Sequence, residues 1–208
     1  MPGVVPANPR IFHITHVKNL PGILHERCLW SDAERRRQTL TTTNIGHNHI
    51  KDRRLRRPVP VAAGGMLGDY VPFYFCSRSV MLYVVSRGHQ DYGGGQDDIV
   101  HLVSSVDTAE RQRRPWAFTD RHAELGHALY FDDRSKLREV DWNVMPLEWW
   151  SESDVKERRQ AEFLVHRSFP WPAIERIGVR SPGMAATVKA VLPAHAHPPV
   201  EIHPDWYY

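Results

Sequence analysis

Between Ala161 and Val165 the chain reads Ala-Glu-Phe-Leu-Val, a β-forming run that carries one carboxylate, Glu162, directly after the charged stretch 154–160. Burying an ionised carboxylate without a partner costs several kcal/mol, so such a strand has two solutions. Either it lies half exposed with Glu162 facing water, or it is buried and the rest of the chain supplies hydrogen bonds or an opposite charge. On this segment alone both readings stay open, and Glu162 is the first candidate for chemistry.

The remaining elements fix the fold class. In Arg10–His16, period-two alternation sets Ile11, His13 and Thr15 on one face and Phe12, Ile14 and His16 on the other. Asn19 is placed to cap a short helix carrying Leu20, Ile23 and Leu24, with Pro21 tolerated in its first turn. Residues 31–60 are polar and arginine-rich and read as mostly loop with some helix. Tyr70–Cys76 and Ile99–Val103 read as strands, Met81–Ser86 as a helix or extended segment, and Gly93–Gly95 as a turn. Stretches 123–131 and 134–142 suggest helical or loop packing; Ser181-Pro182 starts a helix, and a strand follows around Val200–Ile202. Strands and helices mix without βαβ regularity, which predicts an α+β fold.

At 208 residues with 41% hydrophobic side chains, one well-buried domain is the simplest organisation. The net charge is only +3, but basic residues cluster at Arg35–Arg37, at Lys51–Arg57 and at Arg111, Arg113 and Arg114, runs that suit a polyanion or a solvated face. Trp142, Trp149, Trp150 and Trp171 are expected in packing roles. Two cysteines without paired spacing indicate neither a disulfide framework nor a cysteine zinc site. No stretch approaches the length of a membrane span and the N-terminus lacks a signal pattern, so a soluble, cytoplasmic protein is expected.

Several chemistries fail on spacing. His122 and His127 are five residues apart, about 140° around a helix, and cannot share a metal from one regular helix. The triplet His122-Ala123-Glu124 lacks the Pro-Cys-x-x-Cys of zinc deaminases. Gly64-Gly65-Met66-Leu67-Gly68 has no P-loop lysine and reads as a turn. His47 and His49 could line one side of a strand, but among 13 histidines such a pair arises by accident, and no metal is expected.

What is left is an order: His13-x-Thr15 on an early strand, Tyr74 on a middle strand and Glu162 on a late one, which resembles the His, Tyr, Glu pattern of ADP-ribosyltransferases. Longer blocks extend the likeness: Ile11–His16 with Asn19-Leu20, His49–Arg54, Gly64-Gly65, Asp69–Phe75, Arg78-Ser79, Met81–Tyr83, His101–Ser105, Phe118–Asp120 and Gln160–Val165. Together they are similar to DarT, the bacterial toxin family that ADP-ribosylates bases of single-stranded DNA, over nearly the whole chain.

The resemblance, from about Ile11 to Tyr208, implies an ADP-ribosyltransferase-like fold with a central split, mostly antiparallel sheet flanked by helices; residues 1–208 are expected to form one such domain, with the first ten residues flexible. It implies NAD as co-substrate, with His13, Thr15 and Asn19 on its nicotinamide riboside and Tyr74 and Met81 near the ring or incoming base. Glu162 is then the catalytic carboxylate, Arg54 the second group at the reaction centre, and Arg78 and His122 assist with DNA or the transferred group. Implied partners are single-stranded DNA, modified on a base such as thymine, and an antitoxin with ADP-ribosyl-hydrolase activity; the toxic effect is a block to replication. Val80 stands where the family often has proline, and the 31–46 loop is poorly constrained by the match. Transfer to RNA or protein, and a non-catalytic single-strand-binding module, are the alternatives.

Overall fold

The computed structural model describes residues 3–195 and 197–208. Its strands are β1 (Arg10–His16), β2 (Cys28–Trp30), β3 (Tyr70–Tyr74), β4 (Ile99–Ser105), β5 (Trp116–His122), β6 (Tyr130–Phe131), β7 (Ala161–His166), β8 (Ser168–Pro170), β9 (Arg176–Val179) and β10 (Val200–Ile202). Its α-helices are α1 (Leu20–Glu26), α2 (Asp32–Arg37), α3 (Asn48–Arg54), α4 (Val80–Arg87), α5 (Val106–Arg111), α6 (Ser153–Arg158) and α7 (Pro182–Val191). Eight strands form one sheet in the order β10-β9-β4-β1-β3-β7-β5-β6, antiparallel except for β10 against β9, while β2 and β8 pair separately.

The sheet is split at its centre. β1 pairs with β4 along its whole length but meets β3 only at Phe12 opposite Tyr74. Pro72 explains the gap. The N–H and C=O of a strand residue point the same way, and the Pro72 carbonyl faces β1, where it is 2.8 Å from His13 Nδ1. Proline offers no N–H on that side, so the ladder cannot continue and a histidine ring takes the free carbonyl. A crevice opens where the two half-sheets part.

Apolar alternation sorts side chains to the two faces. Ile11 joins a large cluster with Phe73, Phe118, Phe163 and Phe169, while Phe12 and Ile14 pack on the other face with Leu82, Val85 and Trp206. Strand β7 lies between β3 and β5 with Ala161 to Val165 all buried, so the edge-strand reading of Glu162 is excluded. Burying Phe163 and Leu164 together stabilises this strand by roughly 3–6 kcal/mol.

Several expectations are corrected. Strands β5 and β9 fall where the residue pattern shows no clear alternation, and residues 123–142 hold turns, the short β6 and a 3-10 helix at Arg134–Glu139. The polar 31–60 region, in contrast, is as expected mostly loop with some helix, α2 and α3. Trp142 and Trp171 are buried, but Trp149 is 86% exposed. In the N-terminal stretch expected to be flexible, Val5 packs on the core and the Pro9 carbonyl accepts a hydrogen bond from the Val106 N–H at 3.0 Å.

Candidate active site

Glu162 is opposite Tyr74 in the β3–β7 register and is 1% exposed. Its partner comes from 108 positions earlier. Arg54, the last residue of α3, donates from its two terminal guanidinium nitrogens to the two carboxylate oxygens at 3.0 and 2.9 Å. Such a paired fork is the geometry that compensates a desolvated carboxylate. A register shift in β5 between Phe118 and His122 completes the cradle. It turns the Thr119 hydroxyl to accept the Glu162 N–H at 3.0 Å and brings the Ala123 N–H to within 3.4 Å of the carboxylate. Bulges next to functional groups re-aim side chains in this way.

Burial alone would raise the Glu162 pKa, but the charge and hydrogen bonds of Arg54, aided by His122 and the Ala123 N–H, outweigh it and hold the carboxyl ionised. Burial likewise works against the Arg54 cation, and Glu162 reverses the sign, so its pKa is raised. Arg54 is therefore a fixed cation and no proton acceptor.

The carboxylate lines a cleft of about 250 Å³ at the split in the sheet, whose walls include His13, Asn19, Tyr74, Met81, Arg54 and His122. Burial lowers the His13 pKa to about 4 despite the bond to the Pro72 carbonyl, so the ring is neutral at pH 7. With Nδ1–H given to that carbonyl, Nε2 is left as an acceptor. Desolvation also lowers the His122 pKa, against the opposing pull of Glu162. Tyr74 is raised by burial and by Glu162, which keeps its phenol protonated.

Asn19 occupies the N-cap position of α1 but makes no capping bond. Its amide instead donates to Thr15 Oγ1 and to the Thr43 carbonyl, both at 3.0 Å, and its oxygen accepts the Thr43 N–H at 2.7 Å. Asn19 thus fastens the loop ahead of α3 to β1. The NAD-binding role that the resemblance implies for Asn19 makes Asn19→Ala expected to raise the KM for NAD about tenfold, or about 1.4 kcal/mol, with kcat little changed. Steady-state kinetics with NAD varied checks this; an unaltered KM removes Asn19 from the binding machinery.

Two residues expected in the site lie beside it. Thr15 is buried beneath Asn19 and does not line the cleft. Arg78 is also absent from its walls; its guanidinium lies 4.5 Å over the Tyr208 ring, and its backbone carbonyl accepts from Arg159 and from the Tyr208 hydroxyl. Arg159, 1% exposed, spends its other hydrogen bonds on the Val144 and Met145 carbonyls.

Sequence reasoning missed Asp32, Arg35 and Lys51, all on the cleft wall. Asp32 holds Arg35 at 3.3 Å and Lys51 at 3.5 Å. The signal was available in the helical period of α2, which turns Arg35 inward with Asp32 while Arg36 and Arg37 point outward. His47 and His49, which could have lined one side of a strand, fall at the start of α3, His47 as its N-cap.

A family model described as ssDNA thymidine ADP-ribosyltransferase, DarT, matches residues 12–208. The chain belongs to the DarT family. A DNA ADP-ribosyl transferase from Thermus sp. (strain 2.9) is 42% identical over 202 residues, covering 95% of each chain. The solved structure of Thermus sp. 2.9 DarT in complex with ADP-ribosylated ssDNA is 41% identical, with a TM-score of 0.94 over 100% of both chains. That of the same protein with NAD+ is 39% identical, with a TM-score of 0.88 over 99% of this chain and 100% of that one. The split α+β sheet is accordingly the DarT fold, and the chain is an NAD-dependent DNA ADP-ribosyltransferase acting on single strands.

Proposed function

We propose that Glu162 stabilises the positive charge that builds on the NAD ribose as the nicotinamide bond breaks, and that a thymine ring nitrogen of single-stranded DNA captures the ribose. The observation that carries this reading is the buried, ionised Glu162 clamped by Arg54 on the wall of the split-sheet cleft. In the transfer, the C1′–N bond breaks with its electron pair going to the nicotinamide nitrogen, which neutralises the pyridinium. The thymine nitrogen supplies the pair for the new bond and loses its proton. A carboxylate near an oxocarbenium-like ribose lowers that barrier, as in other glycosyl transfers.

His122 is the proton acceptor in this scheme, because it is neutral at pH 7, lines the cleft and has Glu162 nearby to stabilise the imidazolium that forms. Arg54 stays charged and offsets negative charge on the deprotonating base. His13 offers its Nε2 to the nicotinamide riboside, Tyr74 and Met81 line the pocket around the ring, and Arg35 and Lys51 face the pyrophosphate. Thr15 acts through Asn19, and Arg78 contributes to the DNA path outside the cleft. Arg53, Arg56 and Arg57, around a shallow groove with Glu124, suit the flanking phosphates. A single-stranded substrate presents its base without the cost of extrusion from a duplex.

The cellular role is that of a cytoplasmic toxin whose modification blocks replication, countered by an antitoxin hydrolase. A relative from Thermosipho africanus, 26% identical over 186 residues, is a DNA ADP-ribosyl transferase fused to a DNA ADP-ribosyl glycohydrolase. Among the described residues no helix is long and apolar enough to cross a membrane.

The test incubates the protein with NAD and matched DNA, RNA and peptide acceptors and reads products by mass. An ADP-ribosyl adduct is expected on thymine-containing single strands; adducts confined to RNA or peptide overturn the acceptor assignment. If His122 takes the proton, kcat/KM is level at neutral pH and falls as pH drops below the ordinary histidine value of about 6.5, because the ring then charges. His122→Ala should lose about 100-fold in rate and the acid limb with it; an unchanged pH profile in that variant excludes His122 as the base.

A further inference from the structure

At the rim of the cleft, the start of α3 meets the turn that follows α4. We propose that His47, His89 and Asp91 form a binding site for a divalent transition-metal ion, best matched by zinc. One ligand atom from each of the three residues lies within 4.8 Å of the others. His47 Nδ1 is 3.5 Å from Asp91 Oδ2. That is close to the ~3.3 Å edge of a tetrahedron with metal–ligand bonds of about 2.0–2.1 Å.

Three further observations point to a ligand. His47 Nδ1 is buried and, apart from Asp91, has no polar partner among the described residues. His89 Nε2 lies 3.1 Å from the Ile45 carbonyl, which fixes the proton on Nε2, and Nδ1 accepts the Asp91 N–H at 3.3 Å, a hydrogen bond that an entering ion exchanges for coordination. The Asp91 carboxylate is held in place by the Asn48 side chain at 2.7 Å and the Asn48 N–H at 3.3 Å. A ring N–H given to a backbone carbonyl and a hydrogen-bonded carboxylate are the outer-shell contacts that orient metal ligands. Two imidazoles and a carboxylate suit zinc, with solvent completing the sphere.

The site adjoins the cleft, which His47 lines, and is tied to the reacting groups through the backbone. His47 precedes the first residue of α3, which ends in Arg54, and His89 and Asp91 follow α4, which carries Met81. An ion at this point fastens one wall of the cleft to the other.

Cobalt(II), a spectroscopic stand-in for zinc, provides the test. Titrating the metal-stripped protein with cobalt should give visible ligand-field bands that saturate at one ion per chain and vanish when zinc is added. His47→Ala and His89→Ala should abolish these bands, Asp91→Asn should do the same while keeping its Asn48 contact, and Asn48→Ala should weaken binding about tenfold. Melting of each metal-free variant verifies folding. Absence of saturable bands in the native protein, or bands of equal strength in the folded Asp91→Asn and His89→Ala variants, overturns the site, whatever the outcome of transferase assays.

Discussion

Glu162→Gln is expected to cut ADP-ribosyl transfer by about 100- to 1000-fold, the range found when one preorganised charge-stabilising group is removed from a transition state. The amide keeps the shape of the side chain, so bound NAD should be retained while the chemical step fails, and the loss should fall on kcat more than on KM. The substitution has a structural cost as well. Arg54 donates to both oxygens of Glu162, and a glutamine offers it one acceptor and one conflicting N–H donor. Stability must therefore be followed alongside turnover by near-UV circular dichroism and by NAD binding. A folded variant that binds NAD and transfers at the native rate ends the assignment of Glu162 as the catalytic carboxylate.

How much of this was legible beforehand depends on how local each determinant is. Strands β1, β3, β4 and β7 announce themselves through short runs of β-branched and aromatic residues, and α7 through its Ser-Pro start. Strand β5, Trp-Ala-Phe-Thr-Asp-Arg-His, does not, because a register shift breaks its alternation and its last residue, His122, serves the cleft. The burial of Glu162 could not be read from β7 alone, since it requires β5 on one side, β3 on the other and a guanidinium from α3. Only the family resemblance placed Arg54 there in advance; by itself it was one arginine in a basic run. Thr15 was set on the correct strand face, yet whether it meets ligand or supports Asn19 depends on the loop around Thr43, where the sequence carries no periodic signal. His47 pairs with His49 in the sequence because they are near in the chain; the fold keeps those rings close, with centroids 5.1 Å apart, but brings His89 nearer still, at 4.0 Å.

Arg54→Met separates the electrostatic role of the arginine from its packing. It removes the cation from a carboxylate that is almost fully buried, a change that costs about 3–5 kcal/mol when one partner of a buried pair is lost. In the native protein the folded-state pKa of Glu162 is depressed. Its contribution to stability is therefore present above the unfolded carboxylate value of about 4.3 and is lost only as pH falls through the lower folded value. Without Arg54 the desolvation that already opposes ionisation is unchecked and the folded pKa moves above the unfolded one. The sign reverses: the variant gains stability as pH falls from 7.5 toward about 5, while the native protein does not, and the gap between their urea midpoints narrows. Adding Glu162→Leu removes the stranded charge and should recover much of the lost stability while transfer stays absent. A constant gap across that pH range, or a double variant no more stable than Arg54→Met alone, shows that the loss comes from packing rather than from an uncompensated carboxylate. Persisting transfer in Arg54→Met takes the guanidinium out of the reaction centre.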